Sequence, residues 1–154
     1  SDERSGKASP DIREDCIIED GDIIFSWSGS LLVDIWCGGR GALNQHLFKV
    51  TSTRYPRWFY YHWTRHHLAE FQRIAAGKAT TMGHIKRHHL SDALVAVPPD
   101  EVLEASSEII GPLIQSIVSH NLQSRTLAEL RDTLLPKLIS GELRVEGDKE
   151  TFTP

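Results

Sequence analysis

The sequence predicts an α+β fold, a small mixed sheet domain followed by a long C-terminal α-helix. Three observations carry that prediction. Short runs rich in β-branched and aromatic residues fill the stretch 16–50, separated by glycine and serine turns. Between Pro56 and Gly77 the apolar residues move to spacings of three and four, the period of a helix. Near the end, "LAELRDTLLPKLISGELRV" (127–145) sets leucines at 127, 130, 134, 135 and 138 before Ser140-Gly141, a helix with an apolar seam and a stop.

The elements follow in order. Asp20-Gly21 marks a turn, and "DIIFSW" behind it reads as a strand. A loop, "SGS", leads to a second strand in "LLVDIWC", after which "GGRG" is too rich in glycine for strand or helix. "LNQHLFKV" (43–50) alternates imperfectly and predicts a third strand. Pro56 suits the first turn of a helix whose stripe is Phe59/Tyr60, Trp63, His67, Phe71 and Ile74. "ALVAV" (93–97) predicts a short strand, closed by Pro98 and Pro99 because neither can join a ladder in mid-sheet. From Asp100 the chain is expected to be helical, with Gly111-Pro112 as the one strong interruption. Gly111 would cap one helix, and Pro112 would open the next, running to about 138. In that helix Leu113, Ile114, Ile117 and Val118 are expected to pack on the chain's own domain. Gly141 should stop it in a left-handed conformation, and Pro136 should kink or tighten the last turn.

A chain of 154 residues supports one core. Its 40% apolar and 25% charged residues are ordinary for a globular protein, and no apolar run reaches the roughly 18 residues that span a bilayer. The polar start, "SDERSGKASPDIRED", lacks the apolar core of a secretory signal, so a cytoplasmic setting is expected. Two cysteines, Cys16 and Cys37, are too few for a disulfide framework. The net charge of -4 argues at first against nucleic acid, but the charges are unevenly placed. Residues 54–90 carry Arg54, Arg57, Arg65, Arg73, Lys78, Lys86 and Arg87 against Glu70 alone, while residues 1–22 and 91–110 are acidic. One basic block lies between two acidic ones.

Four segments together resemble the C-terminal part of the DNA specificity subunit of type I restriction-modification enzymes. "EDGDIIFSWSGS" is similar to the family's Gly-Asp-Ile strand and Ser/Gly loop, and "LNQHLFKV" to its Asn-Gln strand. "GKATTMGHIKRHHLSDALVAVPP" is similar to the stretch in which a Gly-Ser-Thr-like turn leads through an isoleucine and a short polar helix to a strand ending in two prolines. "LAELRDTLLPKLISGELRV" is similar to the end of its long spacer helix. Each is weak alone; their order across residues 16–145 is more specific. The sequence departs from the family in lacking Glu-Gln after the double proline and in carrying Gly-Pro at 111 and 112.

The resemblance implies a polar linker or loop at 1–15, part of one target recognition domain at 16–99, a helical spacer and dimerisation region at 100–145, and a disordered tail at 146–154. It also implies double-stranded DNA as ligand, with methyltransferase and restriction subunits as partners. AdoMet and ATP would be handled by those subunits, so no cofactor is expected here. The spacer helix would pair with the matching helix of the other half of a subunit, or with a second copy in a homodimer, through Leu127, Leu130, Leu134 and Leu138.

For DNA contact, each Lys or Arg near a phosphate releases counterions and adds salt-dependent affinity. Lys78, Thr80, Thr81, His84, Lys86 and Arg87 cluster in one turn and are the candidates, against a bland reading as a solvated basic face. Base reading needs paired donors and acceptors on loops, which nominates Ser26, Trp27, Ser28 and Ser30 with Arg40 and Gln45. Trp27 serves equally well as a packed core aromatic, and Trp36 reads as core. No phosphate-binding glycine loop, nucleophile elbow, carboxylate pair or AdoMet motif is present, so no active site is expected. His62/His66 and His84/His88 stand four apart, a spacing that could hold metal, but their neighbours are basic and neither HExxH nor CxxC occurs. Two competing functions remain: a protein interaction module in which the helix drives assembly, and an enzyme with a histidine site.

Overall fold

The computed structural model describes residues 13–77 and 85–144, with the side chain of Arg87 outside the description. The linker expected at 1–15 therefore lies outside it up to residue 12, as do Lys78, Thr80, Thr81, His84 and the tail at 146–154. A short 3-10 turn, Glu14–Cys16, leads into β1 (Ile17–Ile18), β2 (Ile23–Ser26), β3 (Leu32–Ile35), β4 (Gly41–Ala42) and β5 (Leu47–Val50). The helices are α1 (Arg57–Ala76), α2 (Arg87–Ser91) and α3 (Asp100–Ile139). This is the α+β architecture that the sequence predicts. The expected mixed sheet takes the form of antiparallel pairings throughout the described strands, a three-stranded sheet in the order β3-β2-β5 and a two-stranded β1-β4 pair.

β2 is central, and all four of its residues are buried. Strands covered on both faces read as continuous apolar runs, which is why "IIF" does not alternate. β3 at the edge alternates exposed and buried, turning Val33 and Ile35 inward. The pairing sets Phe25 opposite Val33 on one side and Phe48 on the other. α1 closes the sheet: Phe71 meets Phe25 edge to face with ring centroids 6.0 Å apart, and Gln72 Nε2 donates to Leu31 O at 3.0 Å. Along α1, Phe59, Trp63, His67 and Phe71 form a ladder of ring contacts at i and i+4. Pro56 stands at the N-cap, one residue before the first turn.

The Asp-Gly turn forms as expected. Gly21 has φ +92, a left-handed conformation that favours glycine. Its N–H donates to Trp36 O, and Trp36 N–H donates to Asp22 O, both at 2.7 Å, which carries the hairpin ladder one step past β2 and β3. Lys49 on β5 pairs with Asp22 at 2.7 Å and also donates to Ile17 O, tying the β1-β4 pair to the larger sheet.

Two expectations are overturned. Residues 93–97 form no strand: among the described residues they join no ladder, and Leu94 is 86% exposed. Strand propensity expresses itself only beside a partner. Here the segment lies along α1, with His67 Nε2 and Leu94 O 3.0 Å apart and Ala96 and Val97 facing Trp58, Phe59 and Trp63 across a cavity. Gly111-Pro112 does not interrupt the helix, which starts at Asp100 and runs through to Ile139. A proline inside a helix costs about 3 kcal/mol, and contacts on both sides offset it. Leu103 is buried before it, Ile114 and Val118 after it, and Trp58 Nε1 on α1 donates to Ser107 Oγ at 2.8 Å.

The chain divides into two units, residues 1–118 and 119–154. The second contains the rest of α3, stabilised locally by an Arg125–Glu129 pair at 3.8 Å. α3 ends at Ile139, and Gly141 two residues on has a φ of +77, the expected left-handed stop. Leu127, Leu130, Leu134 and Leu138 are all exposed, at 65%, 50%, 42% and 40%.

Phe25→Ala should cost about 3–5 kcal/mol, a large share of the stability of a domain this size. Urea unfolding followed by tryptophan fluorescence measures it. Leu94→Ala, on an exposed side chain, should change the midpoint hardly at all.

Candidate nucleic-acid interface

β2 ends at Ser26, and the chain crosses to β3 through Trp27-Ser28-Gly29-Ser30-Leu31, with Gly29 at φ +69. The antiparallel partner β5 begins at the same end, so residues 44–46 are brought beside this loop. The contact is dense. Trp27 N–H donates to His46 O at 3.2 Å, and Trp27 Nε1 donates to Gln45 O at 3.1 Å. Ser28 Oγ and His46 Nδ1 lie 2.7 Å apart, and Gln45 Nε2 faces His46 Nε2 at 3.2 Å. Ser26 is buried, its hydroxyl donating to Ser28 O at 3.2 Å, and Asn44 Oδ1 accepts from His46 N–H at 2.8 Å.

The loop residues named from sequence thus fall into two roles. Ser26 supports the loop from inside, while Ser28 and Gln45 are the polar groups at its surface, joined by His46. Ser30 is exposed in the same loop. Trp27 stacks on Phe48, with centroids 6.0 Å apart and an interplanar angle of 20°, so it is packed on the sheet end while staying half-buried. Trp36 is half-buried rather than core, donating through Nε1 to Gly39 O at 2.6 Å. Arg40 is not brought to this end. It follows β3 at the opposite end of the sheet, fully at the surface, 3.8 Å from Glu19.

Ile85 N–H donates to Trp27 O at 3.2 Å, which draws the segment before α2 onto the loop. A small cavity of about 140 Å³ results, lined by Trp27, Phe48, Ile85, Lys86 and Leu90. Lys86 is exposed at its rim. Within the rest of the basic block, Arg73 pairs with Glu70 at 3.2 Å, Arg65 lies over the Tyr61 ring at 5.4 Å, and Arg54 over Tyr55 at 5.3 Å. These arginines are spread along α1 and its approach. Of the phosphate candidates named from sequence, the Lys86 side chain is the one whose place can be given.

His46 was not singled out from sequence. It sits in a run that alternates like a strand, 18 residues from Ser28, and only the β2-β5 register joins them. Among the described residues no three His, Cys, Asp or Glu side chains converge as metal ligands would. His62 and His66 are exposed on α1, each against a neighbouring aromatic ring, Tyr61 and Trp63 respectively. Neither Cys16 nor Cys37 is in a disulfide. No helix among the described residues is long and apolar enough to cross a membrane.

Part of the chain has a known counterpart. Over 69 residues, 45% of this chain, it is 36% identical to the type I restriction enzyme MjaIX specificity subunit of Methanocaldococcus jannaschii. That match spans 16% of the archaeal protein. No protein-family profile matches the chain, and no solved structure matches it.

Trp27→Ala should remove both the stack on Phe48 and the hydrogen bond to Gln45, for an expected loss of about 1–3 kcal/mol. Chemical unfolding monitored by far-UV circular dichroism gives the value. A loss below about 0.5 kcal/mol would mean that the ring is not part of the packed sheet end.

Proposed function

We propose that this chain recognises DNA sequence as part of a type I restriction-modification specificity subunit. In this reading residues 16–99 are the recognition part and residues 100–145 the helical spacer. The observation that carries it is the sheet end at which Ser28, Gln45 and His46 present polar atoms beside Trp27 and Lys86. Groups of this kind are what a groove edge and its phosphates require. The partial identity with the archaeal specificity subunit supports the same reading. The chain itself is non-catalytic here. Methylation and cleavage belong to methyltransferase and restriction subunits that it positions on double-stranded DNA, and neither AdoMet nor ATP is its ligand.

Lys78, Lys86 and Arg87 are assigned to phosphates, with Thr80, Thr81 and His84 between them in sequence. Ser28, Ser30 and Gln45 are assigned to the base-reading side, Arg40 serving only where a bent duplex reaches the far end of the sheet. Charge reversal at Lys78, Lys86 and Arg87 in the assembled complex should weaken binding to all duplexes alike. It should also flatten the dependence of log K on log salt by about one unit per lost phosphate contact. Filter binding across a salt series is the measurement, and an unchanged slope would remove this block from the interface.

The exposed leucines of residues 119–139 favour an added role in assembly. In our reading Leu127, Leu130, Leu134 and Leu138 pair with a partner helix, that of another specificity half or of a second copy. Each would contribute about 1.5–3 kcal/mol when fully buried. Leu130→Glu with Leu134→Glu should abolish the association while residues 13–118 stay folded. Sedimentation equilibrium at about 100 μM, well above a micromolar dissociation constant, decides it for the homodimer. A wild-type chain that is monomeric there excludes self-pairing.

A further inference from the structure

Beside the polar groups of the sheet end lies a cavity walled by apolar side chains. Trp27, Phe48, Ile85 and Leu90 enclose about 140 Å³, with Lys86 next to them. The rings of Trp27 and Phe48, stacked with centroids 6.0 Å apart, form one wall, and the indole N–H is already bonded to Gln45 O at 3.1 Å. Ile85 forms a second wall. It is buried, and its N–H donates to Trp27 O at 3.2 Å, which fixes the segment before α2 against the loop. Leu90 closes the space from α2 and is half-buried. A trapped water needs two or more polar partners, and these four side chains supply none, so the space suits an apolar group. Its volume is several times the ~30 Å³ that one water takes in the liquid, which is room for a methyl group and the ring edge that carries it.

Charge and base chemistry narrow the choice of that group. The segments that build this end, residues 24–31, 44–48 and 85–90, contain no carboxylate. Lys86 stands exposed at the cavity's rim, so a phosphate is attracted to the place where the apolar group would enter. On the major-groove edges of the four base pairs nitrogen and oxygen donors and acceptors alternate, and one apolar group stands among them, the C5-methyl of thymine.

We propose that the cavity between Trp27, Phe48, Ile85 and Leu90 is a specificity site for thymine, receiving the C5-methyl group of one T·A pair of duplex DNA while Lys86 holds a neighbouring phosphate. The inference rests on the reading of this sheet end as the DNA-contacting surface. It adds an apolar contact to the polar ones already described. Trp27 belongs to both, its ring lining the cavity and its N–H bonded to the Gln45 carbonyl, so the methyl and the polar groups of Ser28 and Gln45 meet adjacent parts of one groove edge. Cytosine at that position leaves the cavity empty. A purine brings its N7 acceptor to a wall with no donor for it, and burying a polar atom unpaired is unfavourable. Uracil differs from thymine by the methyl alone and isolates the contact.

The test uses the full chain. Selection from a randomised duplex library, followed by sequencing, defines the retained site. Each thymine in it is then replaced by deoxyuracil, one at a time, and affinity is read by filter binding. At one position loss of the methyl should weaken binding about fourfold, the effect of one methyl group left in water. At that same position 5-methylcytosine paired with guanine should bind about fourfold better than plain cytosine, because the cavity reads the methyl. Leu90→Phe, which fills the cavity, should bring both ratios close to one while binding through phosphates persists. Leu90→Ala withdraws a wall without adding bulk and should lower both ratios too, which covers a larger ring that disturbs the fold. Equal binding of thymine and uracil at every position overturns the inference and leaves the DNA reading standing. So do ratios that neither Leu90 variant changes, since the methyl is then read elsewhere. Failure to retain any duplex overturns the DNA reading and the inference with it.

Discussion

Everything described in residues 13–118 depends on the burial of β2. Its four residues are covered on both faces and hydrogen-bonded on both edges, so the strand has no freedom to slip. A one-residue shift would turn Phe25 away from Phe71 and bring Ile24 in its place. The register that β2 imposes is also what aligns Ser26 with Leu47, and hence what carries Ser28 to His46. The polar cluster at the sheet end is thus a consequence of core packing, and it inherits the rigidity of that core. Sites supported in this way hold their geometry better than sites on long loops.

The elements that were legible in the sequence are those whose signals are local. Asp20-Gly21 states its own turn, and Gly21 is favoured there by its positive φ. The α1 stripe is legible because i and i+4 neighbours touch within the helix itself, as Phe59, Trp63, His67 and Phe71 do. "ALVAV" failed as a strand because a ladder needs two members, and the sequence of one member says nothing about the other. Gly111-Pro112 failed as a break because the cost of a proline is local, whereas the anchoring of Leu103, Ile114 and Val118 is tertiary.

The candidate site divides along the same line. Loop composition pointed to Ser26, Trp27, Ser28 and Gln45, and the structure does set these together. Composition could not separate Arg40 from them, because the distance between the two ends of a sheet is invisible until the strand pairing is known. Nor could it find His46, whose role depends on two ring nitrogens meeting one partner from each of two strands. A histidine in an alternating run carries no mark of that.

A net charge of -4 would seem to oppose an anionic ligand, yet the charges are sorted by the sheet. Residues 24–31, 44–48 and 85–90, which build the hairpin end, contain no carboxylate. The acids Glu19, Asp20 and Asp22 stand at the other end of β2. There Asp22 is paired with Lys49, Asp20 accepts from Gly39 N–H, and Glu19 lies by Arg40. From Asp22 to Ser28 is six residues of largely extended chain, roughly 20 Å at about 3.3 Å per residue. At physiological ionic strength the Debye length is about 8 Å. A phosphate at the hairpin end is therefore screened from those carboxylates by more than two Debye lengths, while Lys86 stands on the same rim. The field that a polyanion meets is local, and among the described side chains at this end of the sheet Lys86 dominates it.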